Sequence, residues 1–378
     1  MNRDRVDPRP SRARRRAVKF GIPLVAAAAM ILGLGGQEAT ASASCVIGGN
    51  IGFVVPTSGG TLTISRDTGG SLAAIRVNGS TCGFLATTSK MVVQPTVANV
   101  DVVLDQTNGR FEPGLGGESG GIAEIEFEID GGPGTDTLKI IGTSGADRVA
   151  FGSNGIALNN DNDTDVTKAL NLEGFSADMR AGADVVTGAG NTNGTTGAFT
   201  APIAIRGGAG NDSLTGGATG ADIADFSNAP GGVTVNLKAG TATGDGSDTL
   251  ASIENVTGSS FNDAVTLKPN QINVANMGAG DDFCYQVSVG VNDGGVEGDT
   301  CNGEAGTDTY DATGVLRNSP GLNLDFLNNI VTGSGPDFIP GVENFNGTAG
   351  EDTVRFQPGE INVANMGAGD DFCYQVSV

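Results

Sequence analysis

Histidine and tryptophan are absent from this chain of 378 residues, and aromatic residues make up only 5% of it. Without histidine, the chain cannot form a Ser-His-Asp triad, a Cys-His dyad or an HExxH zinc site. Because large apolar side chains are scarce, we expect thin repeated layers, or stabilisation by a bound ligand, in place of a thick core. We therefore predict that the protein is not an enzyme, although carboxylate-based hydrolysis and lyase chemistry based on Lys or Arg remain open.

Basic residues are also scarce once the N-terminus is passed. Residues 1–41 contain 8 of the 21 Lys and Arg, which leaves 13 basic against 40 acidic residues in the remainder. Nucleic acid binding needs a basic surface, so nucleic acid is excluded as a predicted partner. Acidity by itself indicates only a well-solvated surface, but here many of the acids recur at fixed positions in glycine-rich turns.

The N-terminus has the three parts of a bacterial-type secretory signal peptide. Basic residues lie between Arg3 and Lys19, an apolar run covers 21–36, and residues 39–43 offer small-residue cleavage sites. We assign 1–43 to this signal peptide. A membrane anchor is the weaker alternative, because spanning a bilayer takes about 20 apolar residues. The prediction is a secreted, extracellular protein with no membrane span in the mature chain.

Five cysteines in an exported protein are interpreted first as disulfide partners. Cys45 and Cys82 share one N-terminal region, and Cys284 and Cys301 share one repeat. Cys373 has no evident partner.

A long internal repeat occupies the C-terminal part of the chain. The eighteen residues INVANMGAGDDFCYQVSV appear at 272–289 and again at 361–378, and similarity extends upstream at the same offset of 89 residues. We define repeat unit 1 as 217–301 and repeat unit 2 as 302–378. Because unit 2 stops before an equivalent of Cys301, the sequence predicts a truncated unit with a free Cys373. Intermolecular pairing of Cys373 is the alternative.

A shorter pattern, G-x-x-G-x-D or a close variant, recurs through 131–378. Glycines leave turn carbonyls uncovered, and the aspartate adds an anionic oxygen, which together are the hard ligands that Ca²⁺ prefers. Plain Gly-Asp turns are the alternative interpretation. The candidate metal-binding aspartates at the sixth position are Asp136, Asp147, Asp184, Asp212, Asp222, Asp248, Asp263, Asp282, Asp308, Asp337, Asp352 and Asp371.

The clearest instance, GGAGNDSLT at 207–215, resembles the nonapeptide of the hemolysin-type (RTX) calcium-binding repeat family. The resemblance implies a parallel β-roll whose turns bind calcium through aspartate carboxylates and glycine carbonyls. Residue by residue, it implies Asp212 and Asp222 as ligands, with Gly207, Gly208 and Gly210 forming the carbonyl-supplying turn. The chain departs from the family in spacing, since other motifs lie 11, 15, 19 or more residues apart, and several lack one glycine.

These patterns predict an all-β protein. We expect an irregular parallel β-roll or β-solenoid built of Gly-Asp turn repeats, with a strand after each aspartate, preceded by a β-rich N-terminal domain or cap at 44–130. Residues 131–216 form a first Gly/Asp repeat region. The acidic stretch NNDNDTDV at 159–166 fails as an EF-hand, because Val166 and Leu172 replace the required Gly and Glu. We interpret it as a solvated hairpin tip.

Together, these features predict an exported calcium-binding repeat protein with a structural or adhesive role. Its partners would be Ca²⁺ and a cell-surface or extracellular polysaccharide or protein. Two alternatives stay open: a polysaccharide-active β-helix of the calcium-dependent lyase type, and accessory repeats of a lost catalytic domain.

Overall fold

The structure is a computed structural model that describes residues 39–94, 96–115, 123–287, 298–315, 321–333, 337–358 and 362–375. The predicted signal peptide therefore lies almost entirely outside the described residues. The described part consists of β-strands and turns, with two short 3₁₀ turns at Gly70–Leu72 and Leu85–Thr87 and no α-helix. The all-β prediction is confirmed.

The strands are numbered in chain order. Those of the N-terminal region are β1 (Ala43–Gly48), β2 (Ile51–Pro56), β3 (Gly60–Arg66), β4 (Ala74–Val77), β5 (Ser80–Phe84), β6 (Lys90–Val93), β7 (Val100–Asp105) and β8 (Glu126–Asp130). Those of the first Gly/Asp region are β9 (Thr137–Ile141), β10 (Arg148–Gly152), β11 (Gly155–Ala157), β12 (Val166–Leu170), β13 (Gly174–Asp178), β14 (Ala181–Gly182), β15 (Val185–Thr187), β16 (Ile203–Arg206), β17 (Ala209–Gly210) and β18 (Ser213–Thr215).

Seventeen further strands cover the two repeat units. In unit 1 they are β19 (Ile223–Asp225), β20 (Thr234–Asn236), β21 (Thr241–Thr243), β22 (Ser247–Ala251), β23 (Asn255–Thr257), β24 (Ala264–Thr266), β25 (Val274–Asn276), β26 (Phe283–Val287) and β27 (Thr300–Asn302). In unit 2 they are β28 (Thr309–Gly314), β29 (Asn323–Asp325), β30 (Ile330–Thr332), β31 (Asp337–Phe338), β32 (Asn344–Asn346), β33 (Thr353–Phe356), β34 (Val363–Asn365) and β35 (Phe372–Gln375).

Two long sheets contain all but two of these strands. The first sheet has 17 strands and the second has 16, while β14 and β17 pair separately at a turn. From β6 onward, the chain alternates between the sheets, so that most strands pair in parallel with the strand two crossings later, as β24 does with β26 and β25 with β27. Both sheets continue across residue 130, because β7 pairs with β9 and β8 with β12.

Three antiparallel meanders interrupt the alternation. In the first sheet, β10–β11–β12 and β20–β21–β22 each take the place of a single strand, and β29–β30–β31 does so in the second sheet. These insertions explain why the Gly-Asp motifs are unevenly spaced along the chain. The added residues lengthen the path between particular crossings and leave the parallel pairing of the flanking strands intact.

The core lies between the two sheets. The second residue after most of these aspartates points inward, as Leu214, Val265 and Leu138 do, and these three side chains are at most 1% exposed. Burying one such side chain is worth about 1.5–3 kcal/mol. The predicted strand after each aspartate, with its apolar side chain directed inward, is therefore confirmed at these positions. Cys373, which follows Asp371 in the same position, is exposed.

The described strands of the duplicated eighteen residues lie on opposite sheets in their two copies. In unit 1, β25 belongs to the second sheet and β26 to the first, whereas their equivalents β34 and β35 belong to the first and second sheets respectively. Over the 89 residues that separate the two copies, the chain thus passes from one sheet to the other an odd number of times.

Two disulfides link inward-facing cysteines. Cys45 bonds to Cys82, joining β1 and β5, and Cys284 bonds to Cys301, joining β26 of the first sheet to β27 of the second. Cys373 is free and exposed. The cysteine pairing expected from sequence is confirmed. Within the described chain Cys373 has no disulfide partner. That it is also unpaired with a second chain stays a prediction.

Candidate metal centre

The aspartates of the Gly-Asp turns form hydrogen-bonded ladders along the edges of the sheets. Each lies directly before a strand or within its first two residues. In most of them, Oδ1 accepts the backbone N–H of the equivalent residue on the neighbouring strand. The N–H of Asp147 donates to Asp184 (2.6 Å), that of Asp184 to Asp212 (2.8 Å), and that of Asp212 to Asp248 (2.9 Å). The ladder brings together residues that are 28–37 positions apart in the chain.

Two groups of stacked turns lie beside the first sheet. We name 142–147, 179–184, 207–212 and 243–248 the first turn stack, and 258–263, 277–282 and 303–308 the second turn stack. In the second turn stack, the N–H of Asp263 donates to Asp282 (2.7 Å) and the N–H of Asp282 to Asp308 (2.9 Å). All these aspartates are at most 6% exposed.

The remaining candidate aspartates lie beside the second sheet. Asp222 accepts the N–H of Ile203 (2.8 Å), and Asp136 accepts the N–H of Val100. Consequently Asp222 is not stacked with Asp212, its neighbour in the tandem motif, because the two precede strands of different sheets. The other members of this edge are Asp337, Asp352 and Asp371, which accept N–H groups of Asp299, Leu322 and Asp352 respectively.

Four further acidic residues occupy ladder positions that the motif search missed. Glu173, Glu254 and Glu343 accept the N–H groups of Asp136, Asp222 and Asp308, and Asp299 accepts that of Asn273. None of them ends a G-x-x-G-x-D pattern. Their signal in the sequence is one acidic residue immediately before a short strand, as in ENV at 254–256 and ENF at 343–345.

The two glycines of the motif are required by close packing. A Cβ on Gly207 would lie 2.2 Å from Oδ2 of Asp212 in the same turn, so the first glycine makes room for the carboxylate. A Cβ on Gly210 would lie 1.5 Å from the carbonyl oxygen of Gly182 in the adjacent turn, and Gly210 has a φ of +148°. Gly208, with a φ of +83°, approaches the carbonyl of Arg180 in the same way. The second glycine therefore permits one turn to stack on the next.

The second carboxylate oxygen of several ladder aspartates has no hydrogen-bond partner. Within the described part of the chain, Oδ2 of Asp136, Asp184, Asp212, Asp282 and Asp308 is buried and accepts no hydrogen bond. None of these five side chains forms an ion pair with a described Lys or Arg. A buried, unpartnered anionic oxygen is costly unless a proton or a cation neutralises it.

Burial also makes these carboxyl groups hard to ionise. It raises the pKa of Asp184 and of Asp308 to about 7, and the pKa of Asp248 and of Asp282 to about 6, with neighbouring acidic groups adding to the effect. Burial likewise raises the pKa of Asp212 and of Asp222. Buried carboxylate oxygens without a partner are hard ligands of the kind that Ca²⁺ binds.

The acidic stretch at 159–166 differs from its predicted environment. Strands β11 and β12 pair antiparallel through Ile156 and Val166, so the hairpin is confirmed. The predicted solvation of its tip is wrong, since Asp161 is 8% exposed and Asp165 only 1%. The loop folds back onto Glu124 and the segment around Asn193, contacts between distant segments that no local pattern could reveal.

Comparison of the chain with known protein families gives no match, and no curated protein matches it either. Among the described residues, no helix is long and apolar enough to cross a membrane.

Proposed function

We propose that this chain is an exported calcium-binding repeat protein with a structural or adhesive role, and that it is not an enzyme. Its fold would be an irregular parallel β-solenoid stabilised by calcium along the turn edges. The observation that carries the proposal is the first turn stack, where Asp184 and Asp212 each direct one oxygen into the ladder and keep a second oxygen buried without a partner.

Two kinds of donor would hold each ion in such a stack. The free oxygens of Asp184 and Asp212 supply negative charge, and carbonyls of the glycine-rich turn around Gly207, Gly208 and Gly210 supply neutral oxygens. Ca²⁺ accepts 6–8 oxygen ligands in flexible geometry, which suits stacked turns of unequal length. The ion would neutralise carboxylates that otherwise repel one another, and so would link neighbouring coils.

Export is the second part of the proposal. The signal peptide predicted at 1–43 supports secretion, and the two disulfides are of the kind that persists in an oxidising compartment. The acidic ladders would then operate at extracellular calcium concentrations, for which affinities of about 10⁻⁴–10⁻³ M are typical.

The test is calorimetric titration of the purified mature protein with CaCl₂, together with circular dichroism before and after chelation. We expect several ions per chain and a stronger β-sheet signal on adding calcium, which chelation reverses. Asp212→Asn should remove or weaken at least one site, whereas Glu351→Gln, at an exposed acid of a similar turn, should not. Absence of heat and an unchanged spectrum would reject the proposal.

A further inference from the structure

We propose that Glu124, Asp161 and Asp163 form a calcium site of a different kind, outside the Gly-Asp turns. One carboxylate oxygen from each of the three residues lies within 4.8 Å of the others. Within the described residues, this is the one set of three acidic side chains that meets so closely. Glu124 precedes β8, and the two aspartates lie in the loop between β11 and β12, so the site joins segments about 40 residues apart.

The strongest indication of a ligand is the carboxylate of Glu124. This side chain is 3% exposed, and its Oε2 accepts a hydrogen bond from Asn159 Nδ2 (2.7 Å). Its Oε1 is buried and accepts no hydrogen bond, and Glu124 forms no ion pair with any described Lys or Arg. A buried carboxyl oxygen in this position is costly unless a proton or a cation neutralises it.

The loop that carries the aspartates is held in a fixed conformation. Asp165 Oδ2 accepts the N–H of Leu158 (2.6 Å), and Asn159 Oδ1 accepts the N–H of Asp161 (2.9 Å). Asn193, from a third segment, donates through Nδ2 to the carbonyl of Asn159 (3.1 Å). Asp165 and the two asparagines therefore hold the loop backbone from Leu158 to Asp161, and Asn159 also holds Glu124 against this loop.

The chemistry of the donors selects the ion. Three carboxylates provide hard oxygen ligands and no nitrogen or sulfur, which favours Ca²⁺ or Mg²⁺ over transition metals. Ca²⁺ fits better, because its flexible coordination suits donors from two separate segments, whereas Mg²⁺ demands a near-ideal octahedron. The residues are not spaced as an EF-hand, and none belongs to a turn stack. This site would therefore bind independently of those in the proposed function.

The test is native mass spectrometry of the calcium-loaded mature protein, followed by calorimetric titration with CaCl₂. Glu124→Gln and Asp163→Asn should each lower the number of bound Ca²⁺ by one, or weaken one site at least tenfold. Glu351→Gln is the exposed control and should leave the number unchanged. Circular dichroism should show that Glu124→Gln still folds, because the change keeps the shape of the side chain and a side-chain oxygen that can accept the hydrogen bond from Asn159.

The two calcium proposals fail in distinguishable ways. If Glu124→Gln and Asp163→Asn both retain the wild-type number and affinity of Ca²⁺, the site proposed here is rejected, whatever Asp212→Asn does. If they lose one ion while Asp212→Asn loses none, this site is supported and the calcium role of the first turn stack is rejected. Should Glu124→Gln not fold, Asp163→Asn decides alone, since Asp163 is only half-buried.

Discussion

The backbone N–H of Asp184 donates to Oδ1 of Asp212 at 2.8 Å, although the two residues are 28 positions apart. At the start of the strand, the carboxylate of Asp212 therefore accepts a backbone N–H, which elsewhere in a sheet is bonded to a backbone carbonyl. The other oxygen of Asp212 is buried without a partner. Oδ1 of Asp212 thus holds neighbouring strands together, whereas Oδ2 would bind calcium under the proposed function. Substitutions can separate these two roles.

Asp212→Asn should weaken calcium binding without loosening the calcium-free structure. The asparagine oxygen still accepts the N–H of Asp184, while the charge that attracts Ca²⁺ is removed. Asp212→Ala removes both, and it should lower the free energy of unfolding by about 1–3 kcal/mol relative to Asp212→Asn, because a buried N–H is left without an acceptor. Chemical denaturation in calcium-free buffer measures the difference. Equal stabilities of the two variants would contradict the ladder role.

Acidification should stabilise the calcium-free protein. Burial raises the folded-state pKa of Asp184 and of Asp308 to about 7, from an ordinary value of 3.8. A raised pKa means that the folded state binds the proton more tightly, so this stabilisation is fully present below about pH 4 and is lost as the pH rises through 7. The melting temperature of chelator-treated protein, followed by circular dichroism, should therefore rise when the pH is lowered from 8 to 5.

A matched variant separates this effect from the general repulsion of an acidic chain. The double substitution Asp184→Asn with Asp308→Asn should reduce the pH dependence, since neither side chain can then titrate. What remains comes from other buried groups, such as Asp248 and Asp282, whose pKa is raised to about 6. Calcium should stabilise the wild type more at pH 8 than at pH 5, because it competes with protons for the same oxygens. A melting temperature that falls on acidification would show that these carboxyl groups are ionised without cost.

The local part of this architecture could be predicted from the sequence, and the long-range part could not. An aspartate followed by an apolar residue two positions later, as in Asp212 and Leu214, correctly predicted a strand with its side chain directed inward. The sequence did not reveal that Asp212 stacks on Asp184 and Asp248, because an inserted meander changes which turn comes next. It also did not reveal the burial of Asp161, which depends on Glu124 and Asn193 from distant segments.

The second glycine of the motif should matter only where one turn is stacked on another. Gly210 meets the carbonyl oxygen of Gly182, so Gly210→Ala should cost about 1–3 kcal/mol from overpacking and strain. Gly220 holds the same position of the tandem motif, but a Cβ there meets nothing within 4 Å. Gly220→Ala is therefore a matched control that should leave the free energy of unfolding nearly unchanged. A loss of similar size in both variants would reject turn stacking as the reason for the glycine.

Cys284 and Cys373 hold the same position in two identical stretches of sequence, but they should behave oppositely. Cys284 is buried in the first sheet and bonded to Cys301, while Cys373 is exposed in the second sheet. Thiol titration of the native protein should find one reactive thiol, which Cys373→Ser removes without a change in stability. Cys284→Ser should lower the free energy of unfolding by about 3 kcal/mol, as expected for opening a closed loop of this size.

In the Cys284→Ser variant, the thiol of Cys301 should stay unreactive until the protein unfolds, because Cys301 is 1% exposed. The rate of its modification then reports the opening of the core between the two sheets, and the rate for Cys373 in the same sample serves as the internal reference. If both thiols react at the same rate in the native state, β26 and β27 do not enclose a common core. If both react slowly, Cys373 is covered by another chain, and non-reducing electrophoresis and size-exclusion chromatography would show that assembly.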